Sequence, residues 1–251
     1  MKNLAIVLWL SALFTFSCST SKNVNPQELY SEVDTTAPVN TLSEQESSNG
    51  WKLLFNGNDF SGWHGYNMND VPDFWIIENQ AMTMTTTGGS ESQDVITDEV
   101  YDNFALSLEY RLTDGANSGI IYHVKEDSIY KFPYETGPEY QIIDEEGWQG
   151  ELEDWQISGA NYAMHPPKAR PYKPVGAWNH ALLVVNGNKV THILNGEVLV
   201  EFEKYSEDWK KLRDSGKWND FPDYGKFDKG HISLQNHGTK VWFRNVKIKE
   251  L

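Results

Sequence analysis

Hydrophobic and polar residues alternate along several stretches of this chain with the two-residue period of a β-strand. In the stretch 104–112, FALSLEYRL, apolar residues occupy one face and mostly small, polar or charged residues occupy the other. The stretches 119–124 and 139–144 are also strand-like. From 181 to 202, Asn-Gly pairs at 186–187 and 195–196 separate three β-rich runs. Asn-Gly between such runs is a strong hairpin signal, so this region predicts a three-stranded antiparallel meander.

One segment has the pattern of a helix instead. Ser206 is a suitable N-cap, acidic residues follow in the first turn, basic residues lie toward the other end, and Gly216 closes the segment. Repeats of 20–50 residues and alternating strands and helices are both missing from the sequence. We therefore expect an all-β fold, a sandwich of two antiparallel sheets with one short helix.

The first 50 residues differ in composition from the rest of the chain. Lys2 precedes an apolar run from Leu4 to Phe16, which is too short to span a bilayer comfortably and is typical of a signal peptide. Cys18, the sole cysteine, follows this run at the place where a bacterial lipoprotein carries its lipid. We expect residues 1–18 to be a lipoprotein signal, with a plain secretory signal as the alternative.

Three further expectations follow from this N-terminal region. Lipidation of Cys18 would anchor the protein to the periplasmic or outer-membrane face of a bacterial membrane without crossing it. Residues 19–50 are rich in Ser, Thr, Asn, Glu and Pro and lack sustained periodicity, which predicts a flexible tether. Residues 51–251 then form one folded domain.

Charge and aromatic content narrow the possible partners. The formal net charge is −15 and no basic cluster is present, which argues against a nucleic-acid partner. Aromatic residues make up 13% of the chain and include ten Trp. These rings are suited either to core packing or to stacking against sugar rings, and composition alone does not decide between the two.

The candidate chemistry lies on the polar faces of the predicted strands. If these strands are neighbours, their polar side chains share one surface. Otherwise the polar side chains are ordinary solvent-exposed residues, and His237 is a histidine in a turn. The residues concerned are Glu109, Arg111, Glu139, Gln141, Gln235 and His237. The acidic loop 144–154 has three possible interpretations: a solvated loop, a calcium site, or the rim of a cleft with Trp148 as a platform. The spacing of its acidic residues does not match an EF-hand loop.

Five segments in the same order resemble the 3-keto-disaccharide hydrolase family, from Trp51 to Leu251. They are WKLLFNGNDFSGW (51–63), GANSGIIYHV (115–124), GPEYQIID (137–144), KPVGAWNHALLVVNGNKVTHILNG (173–196) and GHISLQNHGTKVWFRNVKIKEL (230–251). The resemblance implies a concanavalin-like jelly-roll fold and cleavage of glycosides whose glucosyl C3 is already a ketone. One departure is Asn236, where the family pattern leads us to expect Asp.

The implied chemistry starts with removal of the C2 proton, which the neighbouring ketone acidifies, and continues with expulsion of the C1 leaving group and addition of water. His237 and Glu139 are the candidates for proton transfer, and Arg111 or a bound divalent metal cation is the candidate for stabilising the enolate. The candidates for binding the oxidised oligosaccharide or glucoside are Glu109, Asn117, Gln141, Asp144, Trp148 and Gln235. Replacing His237 or Glu139 is expected to lower turnover by more than about a hundredfold.

Two alternative functions remain open from the sequence. A carbohydrate-binding module uses the same fold without turnover, and a conventional glycoside hydrolase with carboxylates from different strands cleaves the unoxidised glycoside. A 3-keto-glucoside and its unoxidised parent distinguish these functions. The keto-glycoside enzyme cleaves the 3-keto-glucoside and not the parent, a conventional hydrolase cleaves the parent, and a binding module cleaves neither.

Overall fold

The computed structural model describes residues 24–85 and 93–251, and strands predominate in them. The strands are β1 (Lys52–Leu53), β2 (Trp63–Gly65), β3 (Trp75–Glu78), β4 (Ala81–Met84), β5 (Val95–Thr97), β6 (Phe104–Leu112), β7 (Asn117–Val124), β8 (Glu139–Ile143), β9 (Asn179–Asn186), β10 (Lys189–Leu194), β11 (Glu197–Glu203), β12 (His231–Leu234) and β13 (Val241–Glu250). The helices are α1 (Pro26–Glu32), α2 (Glu44–Ser48) and α3 (Glu207–Ser215), and three 3₁₀ turns cover Pro133–Glu135, Asp154–Gln156 and Lys217–Asp220.

The strands form two antiparallel sheets. The large sheet has the order β11-β10-β9-β6-β13-β4-β3, with β1 paired to β13, and the small sheet has the order β2-β5-β12-β7-β8. Alternate residues of β6 and β8, including Leu108, Tyr110 and Tyr140, meet in one buried core between the sheets. The predicted all-β jelly-roll sandwich is confirmed, and so is the meander, which is β9-β10-β11.

The predicted helix is α3, and it begins as expected. The Ser206 side chain accepts a hydrogen bond from the Trp209 N–H, and Trp209 is the fully buried residue of this helix. The expected number of helices, one, is too low, because α1 and α2 also form in the N-terminal region.

The flexible tether predicted for residues 19–50 is wrong over residues 24–50, which lie folded on the outer face of the large sheet. Leu29 of α1 and Trp51 are buried against the outward-facing Leu182 and Val184 of β9. Asn40 and Asn245 exchange two backbone-to-side-chain hydrogen bonds of 2.6 and 2.8 Å. Few apolar residues are needed here because the sheet supplies most of the apolar surface, and composition alone therefore suggested disorder.

Buried charge also fixes this N-terminal segment, which we define as residues 24–50. The Lys247 ammonium lies 2.6 Å from the Glu46 carboxylate, and both side chains are almost fully buried. Glu46 also accepts hydrogen bonds from the N–H groups of Asp34 and Ser43, and the Ser43 hydroxyl accepts the Glu46 N–H in a reciprocal capping box. The segment is thus held by polar contacts as specific as those within the sheets.

The proposed membrane attachment falls outside the residues that are described. Cys18 and the signal-like run lie before residue 24. Within residues 24–85 and 93–251, no helix has the length and apolar character needed to cross a bilayer.

Candidate active site

The candidate site lies on the outer face of the small sheet, away from the core. Pairing aligns Glu139 with Ile121, Ile121 with Ser233, and Ser233 with Ile96, so these residues share one row across four strands. In the next row Gln141 pairs with Gly119, whose carbonyl accepts the Gln235 N–H. The side chains of alternate residues in β8, β7, β12 and β5 are therefore brought to one surface.

Two buried carboxyl groups, Glu139 and Asp94, belong to this surface. Burial raises the pKa of Glu139 to about 7, and the positive charge of Lys217 opposes this rise. Burial raises the pKa of Asp94 to about 8. A hydrogen bond from the Asn236 N–H lowers this pKa, the negative charge of Glu139 raises it, and the nearby Ser233 hydroxyl lowers it. Near neutral pH the pair can therefore supply one carboxylate and one carboxylic acid, which is the combination needed for base and acid roles.

Four buried polar atoms of this face have no hydrogen-bond partner among the described residues. They are Oδ2 of Asp94, Oδ1 of Asn117, Oγ of Ser233 and Oε1 of Gln235. Ser233 lies close enough to affect the pKa of Asp94, but the two side chains do not form a well-aligned hydrogen bond. Buried polar groups are nearly always paired in folded proteins, so this concentration is typical of a binding surface. We call these four side chains the polar floor.

Gly119 gives the Glu139 carboxyl group its position. A Cβ atom at residue 119 would lie 2.5 Å from Oε1 of Glu139 and 2.9 Å from its Cγ, so the Glu139 side chain folds back across the glycine. The backbone there is part of β7 and needs no unusual conformation, so the glycine is required by this close approach.

An aromatic wall borders Glu139, and part of it lies on the side away from β7. The Tyr162 N–H donates to the Glu139 carbonyl at 3.0 Å, which places this segment along the free edge of β8. The Lys217 ammonium lies 4.8, 4.6 and 4.7 Å from the ring centroids of three aromatic residues. We define the aromatic wall as Lys217 with these three residues, Tyr134, Tyr162 and Trp218.

Two predicted substrate-binding residues have their polar atoms engaged within the protein. The Gln141 amide donates to the Gln156 carbonyl at 3.0 Å and accepts the Ile142 N–H at 3.1 Å. Oδ2 of Asp144 accepts the N–H groups of Gly115 and Gly147 at 2.8 and 3.1 Å. Both side chains therefore hold the loops that flank the site.

Four other predicted residues lie at the same face or its rim. Asn117 and Gln235 belong to the polar floor, and Trp148 is half-buried in the loop that follows Asp144. His237 is exposed, four residues beyond Ser233, a span of up to about 14 Å for an extended chain. Its proton-transfer role stays a prediction, whereas Glu139 lies at the centre of the site.

The predicted convergence of Glu109 and Arg111 with these residues is wrong. Both belong to β6 of the large sheet, and they face away from the core that separates the two sheets. Glu109 accepts hydrogen bonds from Arg244 at 2.7 Å and from Asn245 at 2.9 Å. Arg111 lies against the rings of Trp178 and Trp242. Alternation identified the outward residues correctly, but it does not reveal which of two sheets a strand joins.

Sequence reasoning missed Asp94 and Lys217. Asp94 precedes the apolar run Val95–Ile96, and an acidic residue at the edge of a buried strand is a weak signal that could have drawn attention to it. Lys217 lies in a 3₁₀ turn without any recognisable motif. Its position beside Glu139 depends on the fold of residues 155–224, which no local pattern predicts.

The divalent cation considered as an alternative to Arg111 finds little support in the side chains at this site. Among residues 24–85 and 93–251, no group of three or more His, Cys, Asp or Glu side chains is arranged to hold a metal ion. Asp94 and Glu139 form a pair without a third such ligand, so the mechanism below assigns no step to a metal.

Comparisons with known proteins agree with this fold. The profile of the 3-keto-alpha-glucoside-1,2-lyase-like domain matches residues 50–249. A 3-keto-disaccharide hydrolase of Bacteroides thetaiotaomicron is 30% identical over 248 residues, which cover 88% of this chain and 86% of that protein.

Solved structures resemble the chain over most of its length. A candidate glycosyl hydrolase of Parabacteroides distasonis is 43% identical with a TM-score of 0.80, and the match covers 85% of this chain and 100% of that one. A second from the same organism is 25% identical with a TM-score of 0.61, covering 80% of this chain and 99% of that one. The site therefore lies in a carbohydrate-active protein, and the chain belongs to the 3-keto-alpha-glucoside-1,2-lyase-like domain family.

Proposed function

We propose that this protein cleaves 3-keto-glycosides by proton abstraction and elimination, with Glu139 as the base. In a 3-keto-glucoside the C3 ketone acidifies the C2 proton. The Glu139 carboxylate takes this proton, and the electron pair of the C2–H bond forms the C2–C3 double bond of an enolate whose charge lies on O3. A buried carboxylate with a raised pKa is a stronger base than an exposed one.

Asp94 supports this step as a neutral acid. A carboxylic acid held protonated by burial can donate a hydrogen bond to the ketone oxygen as negative charge develops there. This role replaces the one expected for Arg111, whose side chain lies on the opposite face of the sandwich.

The remaining steps complete the reaction with all atoms balanced. Collapse of the enolate breaks the C1–O bond, and the protonated Glu139 returns its proton to the departing oxygen, which leaves as an alcohol. The resulting enone accepts water at C1 while Glu139 takes a proton from that water, and Glu139 then delivers this proton to C2. The net change is addition of one water molecule across the glycosidic bond.

The observation that carries the proposal is the pair of buried carboxyl groups beside unpartnered polar atoms of three further side chains, Asn117, Ser233 and Gln235. An ordinary retaining hydrolase requires two carboxyl groups about 5 Å apart, with one ionised as a nucleophile. Here burial favours the protonated forms of both groups, which suits a shared acid and base more than a nucleophile.

The decisive experiment uses a 3-keto-disaccharide, its unoxidised parent and 3-keto-1,5-anhydroglucitol, which has no leaving group. We expect cleavage of the first compound, no cleavage of the second, and exchange of the C2 proton of the third with D₂O. Cleavage of the parent would identify a conventional hydrolase, and binding without cleavage or exchange would identify a binding module. Repeating the assay with a chelator tests the expected cation, because the mechanism above requires no loss of rate.

We also propose that Cys18 carries a lipid that attaches the protein to the bacterial cell envelope. The motif at residues 4–18 supports this proposal. Metabolic labelling with a fatty-acid analogue should mark the wild-type protein but not Cys18→Ala, and the unlabelled variant should leave the membrane fraction. Labelling of both proteins, or of neither, would contradict it.

A further inference from the structure

The Lys217 ammonium lies within the aromatic wall but has no protein acceptor. Three rings surround it at 4.6 to 4.8 Å from their centroids, and within the described residues it forms neither an ion pair nor a hydrogen bond. Eight other lysines of the chain are paired with carboxylates, Lys52, Lys168, Lys204, Lys210, Lys226, Lys240, Lys247 and Lys249. With 36 acidic residues in the sequence, an unpaired lysine beside a candidate base is a feature that requires explanation.

The surroundings of this ammonium are partly desolvated, although the side chain as a whole is exposed. Burial of its end lowers the pKa of Lys217, and the negative charge of Glu139 raises it. Cation–π contacts of this kind contribute roughly 0.5–2 kcal/mol and hold the ammonium in place. Its N–H donors remain available to an oxygen atom of a bound molecule.

Tyr162 and Trp218 of the aromatic wall lie on the opposite side of Glu139 from Asp94, whereas Tyr134 packs against the outer face of the small sheet. Asp94 precedes β5, and β12 and β7 separate β5 from β8 in the small sheet. Tyr162 lies beyond β8, because its N–H bonds to the Glu139 carbonyl and residue 160 accepts the Gln141 N–H. Trp218 donates its indole N–H to the Tyr162 carbonyl, which joins the Lys217 turn to the same side.

The proposed chemistry orients the substrate between these two sides. C1 and C3 are the two ring neighbours of C2, so they project in different directions from the proton that Glu139 removes. If the C3 ketone faces Asp94 over the polar floor, C1 and its leaving group project toward the aromatic wall. Flat ring faces suit the C–H surface of a pyranose or the face of an aryl group.

We propose that the aromatic wall is the subsite for the leaving group and that Lys217 donates a hydrogen bond to it. This inference rests on the proposed function and specifies its substrate class. The preferred leaving group has a flat face, either pyranose or aryl, and carries an oxygen acceptor near that face. Lys217 is a specificity residue in this arrangement, because it contacts the part of the substrate that departs.

Two substrates separate this role from a role at the reacting atoms. Lys217→Met keeps most of the side-chain volume but removes the donor, and Lys217→Arg restores a cation. We expect Lys217→Met to lower kcat/KM for a 3-keto-disaccharide by about tenfold or more, the effect of losing one hydrogen bond to a charged group. Exchange at C2 of 3-keto-1,5-anhydroglucitol should stay within about twofold of wild type, because that ketone lacks a leaving group.

Lys217→Arg should recover at least part of the lost kcat/KM, and Lys211→Met, at an exposed position of α3, should match wild type in both assays. Equal loss of exchange and cleavage in Lys217→Met would overturn the inference, since it would place Lys217 at the enolate or in a structural role. No loss in either assay would overturn it as well.

Failure of the proposed function is distinguishable, because wild type would then show no exchange, together with either no cleavage or cleavage of the unoxidised parent. In that event calorimetric binding of the unoxidised disaccharide and of 1,5-anhydroglucitol decides. Weaker binding of the disaccharide alone by Lys217→Met supports the subsite, and unchanged binding of both, or no binding to wild type, rejects it.

Discussion

The two outer faces of the sandwich use similar residues with opposite results. On the large sheet, the outward Glu109 and Arg244 form an ion pair with each other, and Lys247 pairs with Glu46 of the N-terminal segment. On the small sheet, the outward Asp94, Ser233 and Gln235 each leave a buried oxygen without a partner. A face whose polar groups bond to each other contributes to stability, whereas a face whose polar groups are left unbonded is available to a ligand.

The largest expected effect that separates the two faces is on catalysis. Glu139→Gln removes the base but keeps the shape of the side chain, so turnover of a 3-keto-disaccharide should fall by about 10²- to 10⁴-fold. The measurement is the initial rate of product release, with circular dichroism to verify folding. His237→Ala is the matched comparison. A larger loss of turnover in His237→Ala than in Glu139→Gln would identify His237 as the base.

The corresponding effect on the large-sheet face is on stability. Lys247→Met leaves the Glu46 carboxylate buried and unpaired, which should lower the free energy of unfolding by about 3–5 kcal/mol. Urea denaturation measures this change, and kcat of the folded fraction should stay unchanged. Lys249→Met removes a more exposed pair and should cost about 1 kcal/mol or less, so equal effects would contradict the role given to burial.

A smaller effect concerns the pH dependence of stability. The pKa values of Asp94 and Glu139 are raised to about 8 and about 7 in the folded protein, so above pH 4 the folded state holds protons that the unfolded state has released. Stability due to these groups is therefore fully present below about pH 4 and is lost progressively until pH has risen through about 7 to 8, by at most about 1.4 kcal/mol per pH unit for each group.

Urea denaturation between pH 5 and 9 tests this slope. Asp94→Asn combined with Glu139→Gln should flatten it, and an unchanged slope would show that neither group retains its proton. Activity should rise through about pH 7 as Glu139 ionises and fall above about pH 8 as Asp94 ionises, because one must be a base and the other an acid.

The smallest effect tests whether Arg111 has a structural role alone. Arg111→Met removes contacts with Trp178 and Trp242 and should lower the free energy of unfolding by about 1 kcal/mol, with no change in kcat/KM. The two measurements are urea denaturation and steady-state kinetics on the same preparation. A substantial loss of kcat/KM in a stable Arg111→Met protein would show that Arg111 takes part in the reaction.

Local patterns predicted the elements of the fold but not the contacts between them. The strand at 104–112, both Asn-Gly turns and the capped α3 depend on short-range rules, and each lies where those rules indicate. The N-terminal segment depends on a few apolar residues and on the Glu46–Lys247 pair, whose partners are about 200 positions apart. Composition could not reveal that pairing, and the Ser43–Glu46 capping box was recognised only in the structure.

The site was predictable to a similar degree. Glu139 and Gln235 were found because alternation places them outward on strands that prove to be neighbours, whereas Asn117 was named through the family resemblance. Asp94 and Lys217 were missed because their proximity to Glu139 arises from sheet order and from a long loop. The same rule that found Glu139 also selected Arg111, since a period of two residues carries no information about strand order.

The docked N-terminal segment has a practical consequence for domain boundaries. The family profile begins at residue 50, so an expression product trimmed to that boundary would omit Glu46 and Leu29. Such a product would expose an apolar strip of β9 and would leave the Lys247 ammonium without its Glu46 partner. Both changes favour aggregation. Purified material for crystallography or assays should therefore start no later than residue 24.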